Sequence, residues 1–249
     1  MTNTNIYDDQ EFKEWADHSG VAREEETLLQ RHVLGLPEET PMLDVGTGAG
    51  RLAFALHERG FRRLCGIDLS DRLLAVAREK AARSGAPIKF ESQNATDLRF
   101  DDGSFQVVMA LQQVLCLIEA PAARQRALRE FYRVLAPGGL LLASALSWEA
   151  RWFNPWLGMA LAPVKLLKGE THVLGRQYLP WVKLGGRANV RFLFESQPYT
   201  YWFRKAEFER AIVEAGFELL DSATSRMLRE GSGKLAFGGM LYAVARRPR

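Results

Sequence analysis

From Pro41 onward, short apolar runs alternate with longer amphipathic stretches, and this alternation constrains the fold more than any other feature of the chain. Strands are predicted at 41–45, 64–67, 88–90, 105–111, 140–146, 216–221 and 235–245, and helices at 51–59, 70–84, 122–135 and 205–215. Consecutive parallel strands need a long crossover, which is usually a helix. The pattern therefore predicts an α/β domain built on a doubly wound, mostly parallel seven-stranded sheet with helices on both faces.

The alternation breaks between Ser147 and about Phe203, a stretch that holds five of the six tryptophans and a surplus of basic residues. Because it resumes afterwards, we interpret 147–203 as a cap inserted after the fifth strand and not as a second domain. The chain is then a single domain, 1–249, with an N-terminal helical segment at 1–40, a core at 41–146, the inserted cap at 147–203 and the remainder of the core at 204–249. Within the core, Pro-Gly-Gly at 137–139 is expected to end the helix before the fifth strand.

Composition excludes several classes of protein. Hydrophobic residues make up 47% of the chain and charged residues 25%, which are globular values and not those of a disordered chain. A net charge of +3 is too small to indicate a nucleic-acid partner by itself. The polar start is unlike a signal peptide, and the longest apolar runs are far shorter than the ~20 residues that span a bilayer. We therefore expect a cytoplasmic protein without a transmembrane segment, with Cys65 and Cys116 reduced in the core.

An apolar strand runs directly into a glycine-rich loop and then into a helix at 42–51, Met-Leu-Asp-Val-Gly-Thr-Gly-Ala-Gly-Arg. The glycines let the backbone turn tightly and approach a ligand, and the helix that follows offers unpaired N–H groups. A dinucleotide-binding loop needs glycine at its first, third and sixth positions, but the sixth position here is Arg51. The loop instead places Asp44 two residues before the first glycine, where a carboxylate suits a ligand with an ammonium group better than a pyrophosphate.

This loop and three later motifs, in the same order, resemble those of the class I S-adenosylmethionine-dependent methyltransferases. Asp68 ends the second predicted strand, Asn94-Ala95 follows the third, and Arg-Val-Leu-Ala-Pro-Gly-Gly at 133–139 precedes the fifth. Asn94 stands where the family usually has an aspartate. The resemblance is strong over 41–146 and weak over 203–246, and it implies a Rossmann-like fold with S-adenosylmethionine as the cofactor.

The resemblance also implies which residues contact the cofactor. Asp68 would accept hydrogen bonds from the ribose hydroxyls, Leu69 would face the adenine, and Asn94 would accept from the adenine amino group. The full set of expected cofactor-binding residues is Asp44, Gly46, Thr47, Gly48, Gly50, Asp68, Leu69, Asn94, Ala95, Leu111 and Gln112. Two alternatives stay open from the residues alone: Asp68 as the N-cap of the next helix, and Asn94 as a simple turn residue.

Methyl transfer from a sulfonium is an in-line displacement on an activated carbon, so proximity and orientation can supply most of the acceleration. The sequence therefore needs a shaped cap more than a catalytic triad. A base is required when the acceptor loses a proton, and His172, the histidine of the inserted cap, is a candidate. The other histidines share no metal-ligand spacing, so no metal is expected. Gln112-Gln113 replaces the Asn/Asp-Pro-Pro-aromatic motif of many DNA and protein-glutamine methyltransferases and disfavours that subclass.

The inserted cap interleaves aromatic and basic side chains, which favours a flat or apolar acceptor that carries negative charge. Expected acceptor-binding residues are Tyr7 from the N-terminal segment with Trp148, Trp152, Arg176 and Tyr178 from the cap. The predicted function is methyl transfer to an O or N atom of a small molecule. The alternatives are an RNA or protein methyltransferase that docks through the basic cap, and a membrane-surface enzyme or cofactor-binding protein that uses 152–168 against lipid.

Overall fold

The computed structural model describes residues 20–151, 200–230 and 239–249, with isolated positions at 16, 163, 183–184 and 187–188. One seven-stranded sheet forms its centre. The strands of this sheet are β1 (Met42–Val45), β2 (Leu64–Asp68), β3 (Lys89–Ser92), β4 (Phe105–Ala110), β5 (Leu135–Leu146), β8 (Glu218–Thr224) and β9 (Met240–Arg246). A separate two-residue ladder joins β6 (Lys183–Leu184) to β7 (Arg187–Ala188).

The strand order is β3-β2-β1-β4-β5-β9-β8. The first five strands are parallel, and β9 runs antiparallel to both β5 and β8. The first strand, β1, therefore lies near the centre of the sheet. Strands β2 and β3 extend the sheet on one side of it, and β4, β5, β9 and β8 extend it on the other. Such an order creates a crevice at the carboxyl ends of β1 and its neighbours, where ligands bind in open α/β sheets.

The described helices cover both faces of the sheet. They are α1 (Arg23–His32), α2 (Arg51–Glu58), α3 (Asp71–Ser84), α4 (Val114–Leu117), α5 (Pro121–Val134), α6 (Lys205–Glu214) and α7 (Ser225–Glu230). One buried cluster packs α1, α2 and α3 against the sheet, and a second cluster packs α4, α5 and α6 against the opposite face. The predicted doubly wound, mostly parallel seven-stranded sheet with helices on both faces is thus confirmed.

The Pro-Gly-Gly segment does not end the helix, contrary to the sequence prediction. Helix α5 already ends at Val134, and β5 begins at Leu135 and continues through 137–139. Hydrogen bonds to Arg247 explain the difference. The Gly138 N–H donates to the Arg247 carbonyl, and the Arg247 N–H donates to the Gly139 carbonyl. The register against β4 shifts between Phe105 and Val107, so the segment is an irregular first half of the strand.

Helix α1 lies in the N-terminal segment, 1–40, that the sequence predicts to be helical. Within the described residues it runs from Arg23 to His32, and Leu28 and Leu29 on its inner side are fully buried. Residues 1–15 and 17–19 lie outside the described part of the chain. None of the described helices is long and apolar enough to cross a lipid bilayer.

Candidate functional site

The glycine loop after β1 lies at the crevice and is held tightly. The Gly46 and Thr47 N–H groups both donate to the Ile67 carbonyl at the end of β2, at 2.8 and 2.9 Å. Gly46, Gly48 and Gly50 all have positive φ angles, of 70°, 55° and 84°. A Cβ on Gly46 would lie 2.6 Å from Val114 Cγ2. Glycine is therefore required there both for its backbone conformation and for the close approach of α4.

Asp68 joins the glycine loop to the start of α3. Its Oδ2 accepts from the Gly48 N–H at 2.8 Å and its Oδ1 accepts from the Ser70 N–H at 2.9 Å. The N-cap of α3 is Ser70, whose hydroxyl accepts from the Leu73 N–H. Of the two readings of Asp68, the helix N-cap is therefore wrong.

These residues form one side of a cavity of about 950 Å³, part of which is open to solvent. Asp68, Gln93, Asn94 and Gln112 give it polar groups, and Leu69, which is 51% exposed, presents an apolar side chain to it. The opposite wall comes from α4 and the residue after it. Its side chains are apolar: Val114, Leu117 and Ile118. The cavity thus has one polar, carboxylate-bearing side and one apolar side.

Asn94 has a local structural role at the rim of this cavity. Its Oδ1 accepts from both the N–H and the hydroxyl of Thr96, at 3.0 and 2.9 Å, which is the geometry of an Asx turn. Asn94 is therefore a turn residue, and it also lines the cavity. Gln93, which the sequence analysis did not select, is buried beside it and accepts from the Arg99 N–H.

A smaller cavity lies behind the glycine loop, with Asp44, Thr47, Arg51, Leu111 and Gln112 in its wall. Asp44 is 5% exposed, and its Oδ2 accepts from the Thr47 hydroxyl at 2.7 Å. Burial raises the pKa of Asp44 to about 7, against the opposing effects of the Thr47 hydrogen bond and the Arg51 charge. The negative charges of Glu25 and Asp68 raise it further.

All the expected cofactor-binding residues except Gly50 line one or other of these two cavities. Gly50 is instead the N-cap of α2 and packs against Phe54 and Phe90. The two cavities share Gly46, Gly48 and Gln112, so they lie on the two sides of the same loop. The structure thus brings the expected set to one edge of the sheet.

Sequence reasoning missed Glu25 on α1, whose side chain is fully buried beside this site. Arg51 donates to both its oxygens, at 2.7 and 3.0 Å, and the Gln112 amide donates to its Oε1 at 2.6 Å. In sequence Glu25 belongs to the run Arg-Glu-Glu-Glu, which is typical of a solvated helix face. A hint was the arginine at the sixth loop position, which needs a partner when it is buried.

The two ends of the segment predicted to be a cap, 147–203, lie beside the cavity wall. Ser147 and Phe203 form a parallel bridge, and the Trp148 N–H donates to the Phe203 carbonyl at 2.8 Å. The Tyr201 N–H donates to the Cys116 carbonyl of α4. The guanidinium of Arg124 lies 3.7 Å from the Tyr201 ring centroid and also donates to the Ile118 carbonyl. These two ends, 147–148 and 201–203, form a stem that is bonded to the apolar wall of the larger cavity.

Trp148 is partly buried in this stem, packs against the core and does not line either described cavity. The other expected acceptor residues Tyr7, Trp152, Arg176 and Tyr178, the candidate base His172 and the stretch 152–168 lie outside the described residues, apart from the single position 163. Among the described residues no group of three His, Cys, Asp or Glu side chains could hold a metal ion.

The chemistry of the site fits an S-adenosyl cofactor. Such a molecule presents a ribose diol, a flat base and an amino-acid end that carries an ammonium and a carboxylate. Asp68 presents a carboxylate, which suits the diol, and Leu69 offers an apolar face for the base. The smaller cavity offers both a carboxylate, Asp44, and a buried guanidinium, Arg51. A Cβ on Gly46 would fill part of the cradle between these groups.

Residues 42–139 match a family model described as a methyltransferase domain. Demethylmenaquinone methyltransferase from Thermus thermophilus is 39% identical over 102 residues, which are 41% of this chain and 44% of that protein. The chain spans less than half the length of the curated relatives it matches first.

Two solved structures show the same fold. An S-adenosylmethionine-dependent methyltransferase from Methanosarcina mazei has a TM-score of 0.65 at 20% identity, over 89% of this chain and 97% of that chain. The 1,6-didemethyltoxoflavin-N1-methyltransferase of Burkholderia thailandensis, with its namesake compound and S-adenosylhomocysteine bound, has a TM-score of 0.62 at 19% identity, over 99% and 87%. Residues 42–139 thus match a methyltransferase domain, and the loop and strand order of the chain are similar to those of the class I S-adenosylmethionine-dependent methyltransferases.

Proposed function

We propose that this protein transfers a methyl group from S-adenosylmethionine to an O or N atom of a small-molecule acceptor, held between the larger cavity and the inserted cap. The bound cofactor supplies a methyl group on a sulfonium, which is already activated toward a nucleophile. The protein then needs to orient the two molecules and exclude water.

One observation carries this proposal: a single cavity has the cofactor motifs on one side and the stem of the inserted cap behind the other. Asp68 and the glycine loop line it from β1 and β2, while Val114 and Ile118 line it from α4. The stem is bonded to that apolar wall through Tyr201 and Arg124. An acceptor between the two would therefore contact both the cofactor and the cap.

A small acceptor is favoured over a macromolecule because the described binding surface is a cavity with an apolar wall and not a basic face. One protein of this fold has 1,6-didemethyltoxoflavin bound, and the Thermus relative is named for demethylmenaquinone. The matched segment ends at residue 139, before the inserted cap begins. The choice of acceptor therefore rests on this chain's own residues.

The roles of the lining residues follow from their chemistry. Asp68 holds the ribose hydroxyls, Leu69 covers the base, and Gln112 with Asp44 lies toward the amino-acid end. The apolar wall at Val114 and Ile118 orients the acceptor and keeps water from the reacting atoms. His172 is proposed as the group that accepts a proton from an acceptor that must lose one.

The test measures release of S-adenosylhomocysteine by the full chain with three sets of acceptors: phenols and hydroxyquinones, small amines, and macromolecules such as tRNA and unfolded protein. Ile118→Arg places a charge in the apolar wall, and Val213→Arg is its control because Val213 is 52% exposed on α6. Turnover with a small acceptor, lost in Ile118→Arg and kept in Val213→Arg, supports the proposal. Turnover with tRNA or protein alone contradicts it.

A further inference from the structure

Glu25 is a buried carboxylate with several donors directed at it. Its side chain is fully buried and bonded to both guanidinium nitrogens of Arg51, to the Gln112 amide and to the Ala22 N–H. The last contact is a local one, since a glutamate at the third position of a helix commonly accepts from the N-cap N–H. The other contacts reach two elements that are far away in sequence, the start of α2 and the end of β4.

Docking of α1 does not require this charge. Leu28 and Leu29 already bury the inner side of the helix. Two neighbouring glutamates also make ion pairs from the same helix, Glu24 with the exposed Arg229 and the half-buried Glu26 with Arg59, each at 2.7 Å. A buried ion pair costs about as much in desolvation as it returns, so Glu25 contributes little to stability that apolar packing could not supply. Its position points to another role.

Both side-chain partners of Glu25 face the smaller cavity together with Asp44. Gln112 also lines the larger cavity and has a φ of 55°, a left-handed conformation that is costly for a residue with a side chain. The bond from its amide to Glu25 holds it in that place. Glu25 therefore sets the position of two groups in the wall of the site without touching either cavity itself.

Glu25 also sets the charge of this wall. The described charged groups that act on Asp44 are Arg51, Glu25 and Asp68. With Glu25 ionised, the charge of Arg51 is already balanced, and the carboxylates leave a net negative site. Without it, and with Asp44 protonated, Arg51 and Asp68 would balance each other, so the wall would lose its net negative charge and attract an ammonium group less strongly.

We propose that Glu25 is a positioning residue for the amino-acid end of the cofactor: through Arg51 and Gln112 it couples the seating of α1 to recognition of that end. The inference rests on the proposed function only in taking S-adenosyl compounds as the ligands. It predicts that α1 acts on one part of the ligand and leaves the nucleoside part unaffected.

The experiment compares two ligands by isothermal titration to the full chain. S-adenosylhomocysteine has the amino-acid end, and 5′-methylthioadenosine shares the adenosine and the thioether but lacks that end. Each is titrated into the wild type, Glu25→Gln, Gln112→Ala and the matched control Glu26→Gln, which breaks an ion pair of the same helix away from the site. Circular dichroism establishes that each variant is folded.

Glu25→Gln is expected to weaken the binding of S-adenosylhomocysteine at least tenfold and the binding of 5′-methylthioadenosine less than twofold. Glu26→Gln is expected to bind both ligands as the wild type does. An equal change for the two ligands, or none, overturns the inference. If Glu25→Gln does not fold, Gln112→Ala decides, because this variant keeps the Glu25–Arg51 pair. It must weaken the binding of S-adenosylhomocysteine more than that of 5′-methylthioadenosine. An equal effect on the two ligands, or no effect, overturns the inference. A wild type that binds neither ligand would instead contradict the proposed function.

Discussion

Asp44 connects the stability of the fold to pH, because its carboxyl is buried under the glycine loop. Its pKa is raised from 3.8 to about 7, chiefly by loss of hydration. In the unfolded chain the group ionises near pH 4, whereas in the folded protein it stays protonated until about pH 7. The free energy of unfolding therefore falls as the pH rises from about 4 to about 7, and above about pH 7 this loss of stability is complete.

We predict that Asp44→Asn removes this loss. The free energy of unfolding of the variant relative to the wild type should rise between about pH 4 and pH 7, by about 4 kcal/mol for a shift of this size, and stay level above. Urea denaturation of both proteins at several pH values measures the difference. Parallel pH profiles for the two proteins would show that Asp44 is ionised in the fold.

Single residues also show what the sequence could and could not predict about the site. The loop glycines and Asp68 were identified because each follows an apolar strand at a recognisable spacing. Glu25 was not, because its burial results from a contact across 26 positions to Arg51, and nothing in its own neighbourhood distinguishes it from Glu24 or Glu26. Asn94 was identified, but its bonds to Thr96 are satisfied within its own turn.

At the scale of elements, α4 and the glycine loop are in close contact where Val114 lies against Gly46. Gly46 has a φ of 70°, and a Cβ there would lie 2.6 Å from Val114 Cγ2. We predict that Gly46→Ala destabilises the protein by about 1–3 kcal/mol, from backbone strain together with the clash. The double variant Gly46→Ala/Val114→Ala should recover the part that is due to the clash.

Urea denaturation of the four proteins in this cycle measures the coupling between the two sites. If the changes in the free energy of unfolding caused by Gly46→Ala and Val114→Ala simply add in the double variant, the added methyl group does not clash with Val114. S-adenosylhomocysteine binding, measured in parallel, should be lost in Gly46→Ala even where the protein remains folded, because the added methyl group occupies the wall of the cavity.

The elements predicted for the core were right in order and type but not at their ends, and two short helices, α4 and α7, were not predicted. The irregular start of β5 is the clearest case: proline and two glycines locally indicate a turn, but Arg247, directly after β9, makes the hydrogen bonds that extend the strand. The sequence contains no local signal for that pairing, since the two partners are about a hundred residues apart. Contacts from distant strands decide such boundaries.

At the scale of the whole molecule, the segment predicted to be a cap, 147–203, leaves and rejoins the core at one place. Because Ser147 and Phe203 are bridged, a short linker can close the gap between 149 and 200 while Trp148 and Tyr201 keep their places in the stem. We predict that replacing 150–199 by a Gly/Ser linker keeps S-adenosylhomocysteine affinity within tenfold, or about 1.4 kcal/mol. Methyl transfer should fall by orders of magnitude, since orientation and water exclusion are lost.

This prediction needs a folded variant, which circular dichroism and thermal denaturation establish. Turnover of the native acceptor at nearly the full rate would show that the cap does not hold the acceptor. Loss of cofactor affinity by far more than tenfold in a folded variant would show that the cap belongs to the cofactor site.

The central claim is that the cavity beside Asp68 takes an S-adenosyl cofactor and not a dinucleotide, and isothermal titration tests it most directly. We predict that S-adenosylhomocysteine binds the wild type and NADH does not. Asp68→Ala should weaken binding by about 1.5–3 kcal/mol, the scale of charge-assisted hydrogen bonds. Tight NADH binding without any response to S-adenosylhomocysteine would contradict the account, and a loss of only a few tenths of a kcal/mol in Asp68→Ala would remove the carboxylate from the site.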